Sequence, residues 1–293
     1  MKSELTSSSG VRLIPVTPGS FIMGSPRSEV GHEFWEGERE VTLSHEFYLG
    51  ATPVTQRQYE RVTGENPTDH PGSAEDAPVD SVRWQAATEF CGKLTEIDRG
   101  AGILSDDWEY RLPTETEWEY ACRAGTETRW SFGNDDKPAA QFARFGGKND
   151  IGPLPAGQLK PNRFGLRDMH GNLWEWCQDW YGEDYFGSFG KDDAVNPTGP
   201  VAGTERVLRG GSWGFPTIAC RSTHREHNRS SAKLPANGFR VVLSVEAVKQ
   251  ALTNRPPKRS TASGRARGCC PRSRPRSKRP KAATRLRFTS TSR

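Results

Sequence analysis

The sequence predicts an α+β fold with short strands, few helices and much irregular loop. The chain of 293 residues contains 30 Gly, 21 Pro and 9 Trp, which favours a turn-rich globule over a helical bundle. Strand patterns occur in the first fifty residues, and three helix patterns follow them. Beyond Gly125 regular periodicity fades into short aromatic clusters separated by Gly, Pro, Asn and Asp.

The strand predictions come from alternation of apolar residues near turn signals. Residues 11–24 (VRLIPVTPGSFIMG) alternate apolar and small residues around a Pro-Gly turn, and the charged stretch after them predicts a loop. Val41–Gly50 (VTLSHEFYLG) returns to a strand pattern. Further short strands are expected in ERVLRGGSW and NGFRVVLSV.

Two of the three predicted helices begin with a capping box, in which a threonine and a glutamine or glutamate three residues later cap each other's backbone. The pairs are Thr55 with Gln58, and Thr114 with Glu117. The other helix is expected near 84–97, because its apolar residues follow helical spacing. They are Trp84, Ala87, Phe90, Cys91 and Leu94.

Charge divides the chain into an acidic body and a basic tail. From Arg255 to the end there are 14 Lys and Arg and no Asp or Glu, which leaves 27 basic and 36 acidic residues, a net charge of −9, for residues 1–254. The mean hydropathy of −0.77 is low for a compact protein. We therefore expect a flexible N-terminus at 1–10, one domain at 11–248, and a disordered Arg/Pro/Ser-rich tail at 249–293.

Three interpretations of the tail stay open. A disordered basic arm can bind nucleic acid or another anionic surface through phosphate contacts. A solvated tail without a dedicated partner is the interpretation that such composition favours. The extension can also reflect an erroneous reading frame.

The first residues, MKSELTSSSGVRL, lack the apolar run of a secretory signal, and no stretch reaches membrane-spanning length. These features predict a cytoplasmic protein without membrane contact. The six cysteines are scattered and have no zinc-type spacing. In a reducing compartment the four in the body are expected to be buried free thiols.

Five motifs, in this order, resemble the formylglycine-generating enzyme family, also called the sulfatase-modifying-factor family. They are PGSFIMGS, FYLGATPVTQRQYERV, RLPTETEWEYACRAGT, MHGNLWEW and GGSW…NGFR, and they extend over roughly residues 13–245. The resemblance implies a decorated C-type-lectin-like fold.

In this family the segment matching DMHGNLWEW binds calcium. Carried over by position, the resemblance implies that Asp168 and Glu175 donate side chains and that Gly171 and Leu173 donate carbonyl oxygens, a set suited to a hard cation. The alternative is that the two carboxylates cap turns or pair with arginine. Trp174 and Trp176 are expected to be core anchors, and His170 a hydrogen-bonded structural residue.

The family's oxidase holds copper(I) with two cysteines, two and seven residues after the Trp of GGSW. Here Cys220 takes the second position, Phe215 takes the first, and Ser212 matches a serine near the family's active site. Because copper(I) needs two soft thiolates in a linear site, copper is disfavoured. Cys220 acting alone, activated by Arg221, Arg225 or His224, is the alternative to a buried structural cysteine.

Two functions are consistent with these residues. The favoured one is a catalytically diverged binding or accessory module for a peptide or protein ligand, which could be a sulfatase. Arg221 and Arg225 would then line a groove and favour an acidic ligand. The other is an oxidoreductase, either a copper-dependent formylglycine-generating oxidase using Cys220 or a divergent metal-dependent enzyme.

Overall fold

The computed structural model describes residues 3–70, 76–146, 152–188 and 194–245. Within these ranges three α-helices accompany short strands, as an α+β fold requires. The helices are α1 (Gln56–Thr63), α2 (Trp84–Gly100) and α3 (Glu115–Arg123). The strands are β1 (Leu5–Thr6), β2 (Arg12–Val16), β3 (Gly19–Met23), β4 (Arg39–Leu43), β5 (Phe47–Gly50), β6 (Trp108–Arg111), β7 (Ala143–Arg144), β8 (His170–Gly171), β9 (Trp174–Trp180), β10 (Glu205–Arg209), β11 (Arg225–Arg229), β12 (Asn237–Gly238) and β13 (Val242–Val245).

One sheet has five antiparallel strands in the order β1-β2-β5-β13-β6. The strand β13 lies between β5 and β6, so that Leu243 pairs with Tyr48 on one side and Tyr110 on the other. All four residues of β5 are buried, as expected for an inner strand covered on both faces.

A second sheet has the order β11-β10-β9-β12, with β12 parallel to β9 and the other pairs antiparallel. This sheet positions both signature segments. MHGNLWEW runs through β8 into β9, and GGSW follows β10 directly. Since β10 and β11 pair along their length, the chain between them, residues 210–224, is held at one end of the sheet.

Both predicted capping boxes are confirmed. Thr55 accepts a hydrogen bond from the Gln58 backbone N–H, and Thr114 accepts one from the N–H of Glu117; both reciprocal bonds are also present. The helix predicted near 84–97 extends to Gly100.

The tryptophans of β9 are buried in the core. Trp174 and Trp176 are 2% and 0% exposed, so the prediction that they are core anchors is confirmed. The ring N–H of Trp176 donates to the Val82 carbonyl at 2.8 Å, which satisfies the buried indole.

The structure differs from the sequence predictions at three places. Residues 11–24 form two strands that do not pair with each other, and the Val41–Gly50 segment holds the end of β4 and all of β5. Part of the N-terminus expected to be flexible pairs in β1 with β2, because Ser7 closes the turn between them by accepting a hydrogen bond from the backbone N–H of Val11.

The predicted basic tail at 249–293 lies outside the described residues. Among those that are described, no helix combines the length and the apolar character needed to span a membrane.

Candidate functional site

Two glycines after β10 shape the segment that carries the family's reactive residues. Gly210 and Gly211 have φ values of +99° and +80°, which side-chain-bearing residues rarely adopt. A Cβ atom on Gly211 would also lie 2.5 Å from the sulfur of Cys220. The glycine pair therefore allows GGSW to pack directly against Cys220.

The Cys220 thiol is fully buried. Its sulfur lies 3.8 Å from the Pro216 carbonyl oxygen, at the start of the short turn Thr217–Cys220. Burial, and next the nearby Cys122, raise the pKa of Cys220 to about 12, although a hydrogen bond from the Ser212 backbone opposes this. A thiol with this pKa is protonated at neutral pH and is a poor nucleophile.

Ser212 is close to Cys220, since its backbone hydrogen-bonds the thiol. Its side chain is fully buried, and its hydroxyl has no hydrogen-bond partner in the described structure. A buried hydroxyl without a partner is a recognised sign of a functional site or of a bound water.

Phe215 occupies the position of the missing thiol and is 40% exposed. Its ring meets Trp174 edge-on, with ring centroids 5.4 Å apart. Its backbone is fixed, because its N–H donates to the Ser212 carbonyl at 3.0 Å and its carbonyl accepts from Gly146 at 2.6 Å. The site thus presents a positioned aromatic ring where the oxidase presents sulfur.

The residues present do not fit a copper(I) ion. Cys220 is the single thiol at the two family positions, it is protonated at neutral pH, and the Phe215 ring cannot act as a ligand.

Arg221 and Arg225 do not line a groove, which corrects their predicted role in substrate binding. Arg221 is fully buried and donates to both carboxylate oxygens of Glu36, at 2.7 and 2.8 Å, and to Glu29 at 2.8 Å. Arg225 is 6% exposed and pairs with both oxygens of Glu115, at 2.6 and 2.9 Å. Their charges are neutralised inside the fold.

His224 lies between Trp174 and Glu33. Its ring centroid is 5.7 Å from that of Trp174, and its Nδ1 is 4.0 Å from a Glu33 carboxylate oxygen. Burial, and next the charge of Arg221, lower the pKa of His224 to about 4. His224 is therefore neutral at pH 7, and the contacts of its ring are with Trp174 and Glu33.

The proposed calcium set contains an ion pair. Arg240 is fully buried and donates to both carboxylate oxygens of Glu175, at 2.6 and 2.7 Å, and the ring N–H of Trp118 donates to the same group at 2.7 Å. The other carboxylate, Asp168, accepts from the Gly157 backbone at 2.7 Å. This arrangement does not fit calcium, since a guanidinium already holds Glu175, and it favours the pairing of a carboxylate with arginine.

Gly171 and Leu173, the predicted carbonyl donors, lie in a tightly packed part of this segment. Gly171 has φ +94°, and a Cβ there would collide with the Arg144 carbonyl. Leu173 is fully buried. No group of three or more His, Cys, Asp or Glu suited to a metal occurs in the part of the chain that the structure describes.

His170 links the two signature segments, as expected of a hydrogen-bonded structural residue. Its Nδ1 donates to the Cys220 carbonyl at 2.9 Å, and its Nε2 accepts from the Ser131 backbone at 3.1 Å. The second bond fixes the tautomer, because the ring nitrogen that accepts carries no proton.

The sequence interpretation missed Glu33 and its loop. Residues 25–40 were predicted only as a charged loop, yet Glu29 and Glu36 bind Arg221 and bring Glu33 beside His224. The sole sequence signal for these contacts was the density of acidic residues in the loop. The pairing itself was not predictable, because Glu29 and Glu36 are 185 or more residues from Arg221.

Residues 2–245 match the family described as the sulfatase-modifying factor enzyme 1-like domain. The chain is 30% identical over 266 residues to the serine/threonine-protein kinase pkn1 of Chlamydia caviae, covering 80% of this chain and 38% of the kinase. It is 36% identical over 178 residues to the formylglycine-generating enzyme of Streptomyces coelicolor, covering 56% of this chain and 51% of that enzyme. The chain thus spans about half or less of the length of these two relatives.

The fold resembles that of PvdO from Pseudomonas aeruginosa, with a TM-score of 0.70, 26% identity, and coverage of 83% of this chain and 98% of PvdO. The predicted formylglycine-generating-enzyme-like fold is therefore confirmed. The match extends through both sheets and both signature segments. The chain belongs to the family of the sulfatase-modifying factor enzyme 1-like domain.

Proposed function

We propose that this domain is a catalytically diverged binding or accessory module for a peptide or protein ligand. The observation that carries the proposal is Phe215, a half-exposed aromatic ring fixed on Trp174 at the position where the oxidase has a copper thiolate. A fixed aromatic side chain at a surface supplies contact area at low entropic cost, and aromatic residues, Phe included, are enriched at protein interfaces.

The protonation state of Cys220 supports the same function. Oxidation of a substrate cysteine by the family's mechanism needs two thiolates on copper(I), and here the two family positions supply one thiol, Cys220, which is protonated. The relatives are also diverse, since they carry the names of a protein kinase and of a formylglycine-generating enzyme. The family match alone therefore assigns no reaction.

Copper titration tests the absence of oxidase chemistry. With a competing chelator, we expect no tight copper(I) binding, and with a Cys-x-Pro-x-Arg peptide we expect no oxygen consumption. Turnover that is abolished by Cys220→Ser would instead support the alternative, a formylglycine-generating oxidase.

Restoring the missing ligand gives a positive control. Phe215→Cys places a second thiol two residues after Trp213, so we expect copper(I) affinity to rise in this variant and to be lost again in the double variant with Cys220→Ser. Phe215→Ser is the matched control, because it removes the ring without adding sulfur.

Binding itself is tested with a library of random peptides displayed on phage. We expect enrichment against the protein and its loss with Phe215→Ala. Val201→Ala, which also truncates an exposed apolar side chain, should leave binding unchanged. Equal enrichment on all three proteins would contradict a ligand site at Phe215. The protein ligands that this proposal covers include a sulfatase.

The cytoplasmic location is likewise a proposal. Its support is that Cys91, Cys122, Cys177 and Cys220 are buried free thiols, which is the state expected in a reducing compartment.

A further inference from the structure

An acidic aromatic surface, formed by Glu33, Phe215, His224 and Glu226, surrounds the proposed ligand site. Phe215 and His224 both pack on the Trp174 ring, and Glu33 reaches His224. Phe34 follows Glu33 directly and is 69% exposed. Glu226 shares the sheet face of Trp174, because Leu208 pairs with both Glu226 and Trp176, and its charge acts on Glu33. Two carboxylates and the accessible ring of Phe215 therefore lie around one buried tryptophan.

The loop that carries Glu33 and Phe34 is anchored at its base. Glu36 is 2% exposed and binds Arg221 through both oxygens. The Ser25 backbone N–H donates to the Glu36 carbonyl at 2.8 Å, which closes the loop. Gly31 lies against the Ile218 side chain, where a Cβ would collide. These contacts place the loop beside the segment that carries Phe215 and Cys220.

The charges on this surface are unbalanced. Arg221 and Arg225 are buried in ion pairs, and His224 is neutral at pH 7. Glu33 keeps a 34% exposed side chain, and its pKa is raised by burial and then by the neighbouring charges of Glu36 and Glu226, although Arg221 opposes this. Carboxylates that repel one another at a surface gain most from an external cation.

An exposed phenyl ring next to carboxylates is suited to an arginine or lysine side chain. The ring face attracts the cation, and the carboxylate neutralises it; guanidinium groups use both contacts more often than ammonium groups do. An acidic ligand, which the buried arginines were expected to attract, would meet Glu33 and Glu226 instead. The ligand chemistry expected from the sequence is thereby reversed.

We propose that the acidic aromatic surface binds an arginine-containing basic segment of a partner protein. This inference rests on the proposed function, because it names the class of ligand for the Phe215 site. The occupant is set by charge complementarity, since no accessible cation of the segment 221–225 faces Glu33: its two arginines are buried in ion pairs.

The test is calorimetric titration of the full chain with a blocked peptide containing two arginines, and with the same peptide in which citrulline replaces each arginine. Citrulline keeps the shape of the side chain and removes its charge. We expect the arginine peptide to bind, the citrulline peptide to bind at least about fivefold more weakly, and the difference to shrink as salt is raised.

Protein variants locate the effect. Glu33→Gln with Glu226→Gln should weaken the arginine peptide about fivefold or more, and Phe215→Ala should also weaken it. Glu38→Gln, an exposed acid in the same loop, is the matched control and should have no effect. The Gln variants change half-exposed residues, and unchanged thermal denaturation verifies their folding.

Three results would overturn the inference. These are equal binding of the arginine and citrulline peptides, undiminished binding by the double Gln variant, and equal loss with Glu38→Gln, which indicates general attraction to an acidic body. If phage-selected peptides without arginine still require Phe215, the inference fails while the proposed function stands. If no peptide of either kind requires Phe215, both fail.

Discussion

Arg240 has no exposed surface, and its guanidinium donates to both carboxylate oxygens of Glu175. Further donations to the carbonyls of Gly50 and Arg167, at 2.9 and 3.0 Å, tie three distant segments together. A buried charge of this kind is tolerated only while its partner is present. At the residue scale, the carboxylate assigned to calcium by resemblance is the counter-ion of an arginine.

Glu175→Gln should therefore destabilise the protein strongly. The substitution leaves a buried guanidinium without a counter-charge, for which a loss of about 3 kcal/mol or more is expected in the free energy of unfolding. Urea denaturation measures it, with the exposed Glu38→Gln as control. A loss below about 1 kcal/mol would mean that Arg240 does not depend on Glu175.

Calcium gives a complementary measurement at the same residues. An ion bound a hundredfold above its dissociation constant would add about 2.7 kcal/mol of stability. Because Glu175 is already held by Arg240, we expect the same melting temperature in about 1 mM calcium and in a chelator. A rise of several degrees with calcium, lost in Asp168→Ala, would reinstate the ion set of Asp168, Gly171, Leu173 and Glu175.

At the scale of elements, α3 differs from α1 in how deeply its first turn is buried. Glu115, Thr116 and Glu117 are all buried at the start of α3. Its cap is also shared, since Glu117 accepts from the Thr114 backbone at 2.8 Å and from Arg111 at 2.6 and 2.7 Å. The capping box of α3 is thus part of a buried ion pair with β6.

Thr114→Ala should cost more stability than Thr55→Ala. Losing a cap typically costs about 1 kcal/mol, and the upper end of the range, about 2 kcal/mol, is expected where water cannot replace the lost acceptor. Denaturation of both variants under the same conditions measures the difference. Equal losses would indicate that water reaches the first turn of α3.

These elements also mark how far sequence reasoning extends. The capping boxes were predictable because their partners are three residues apart and the chemistry is local. The buried ion pairs were not, because Glu175–Arg240, Glu115–Arg225 and Glu36–Arg221 join residues 65, 110 and 185 apart. The signature motifs identified the segments around Cys220 and Glu175, but the charge of this region depends on which arginine pairs with which carboxylate, and the tertiary fold decides that.

At the scale of the whole molecule, polar groups inside the body link the loops to the two sheets. Beside the buried arginines, His170 joins β8 to the carbonyl of Cys220. Burial lowers the pKa of His170 to about 4 from an ordinary value of 6.5. The unfolded chain therefore binds a proton at His170 at a higher pH than the folded chain does.

This difference in proton binding determines how the stability contributed by His170 changes with pH. Since the unfolded state binds more protons between pH 6.5 and about 4, the contribution of His170 is complete above pH 6.5 and is lost as the pH falls towards 4, by up to about 1.4 kcal/mol per unit. His224 acts in the same direction, whereas Asp168 and Asp179, whose pKa values are raised by burial, act in the opposite one. The whole protein therefore sums opposing contributions, and a single-site variant isolates one of them.

We expect His170→Asn, which keeps a donor for the Cys220 carbonyl but does not titrate, to lose less stability than the wild type between pH 6.5 and 4.5 in urea denaturation. Parallel curves for the two proteins would show that His170 titrates normally in the folded state, and that the link between β8 and the Cys220 segment admits water.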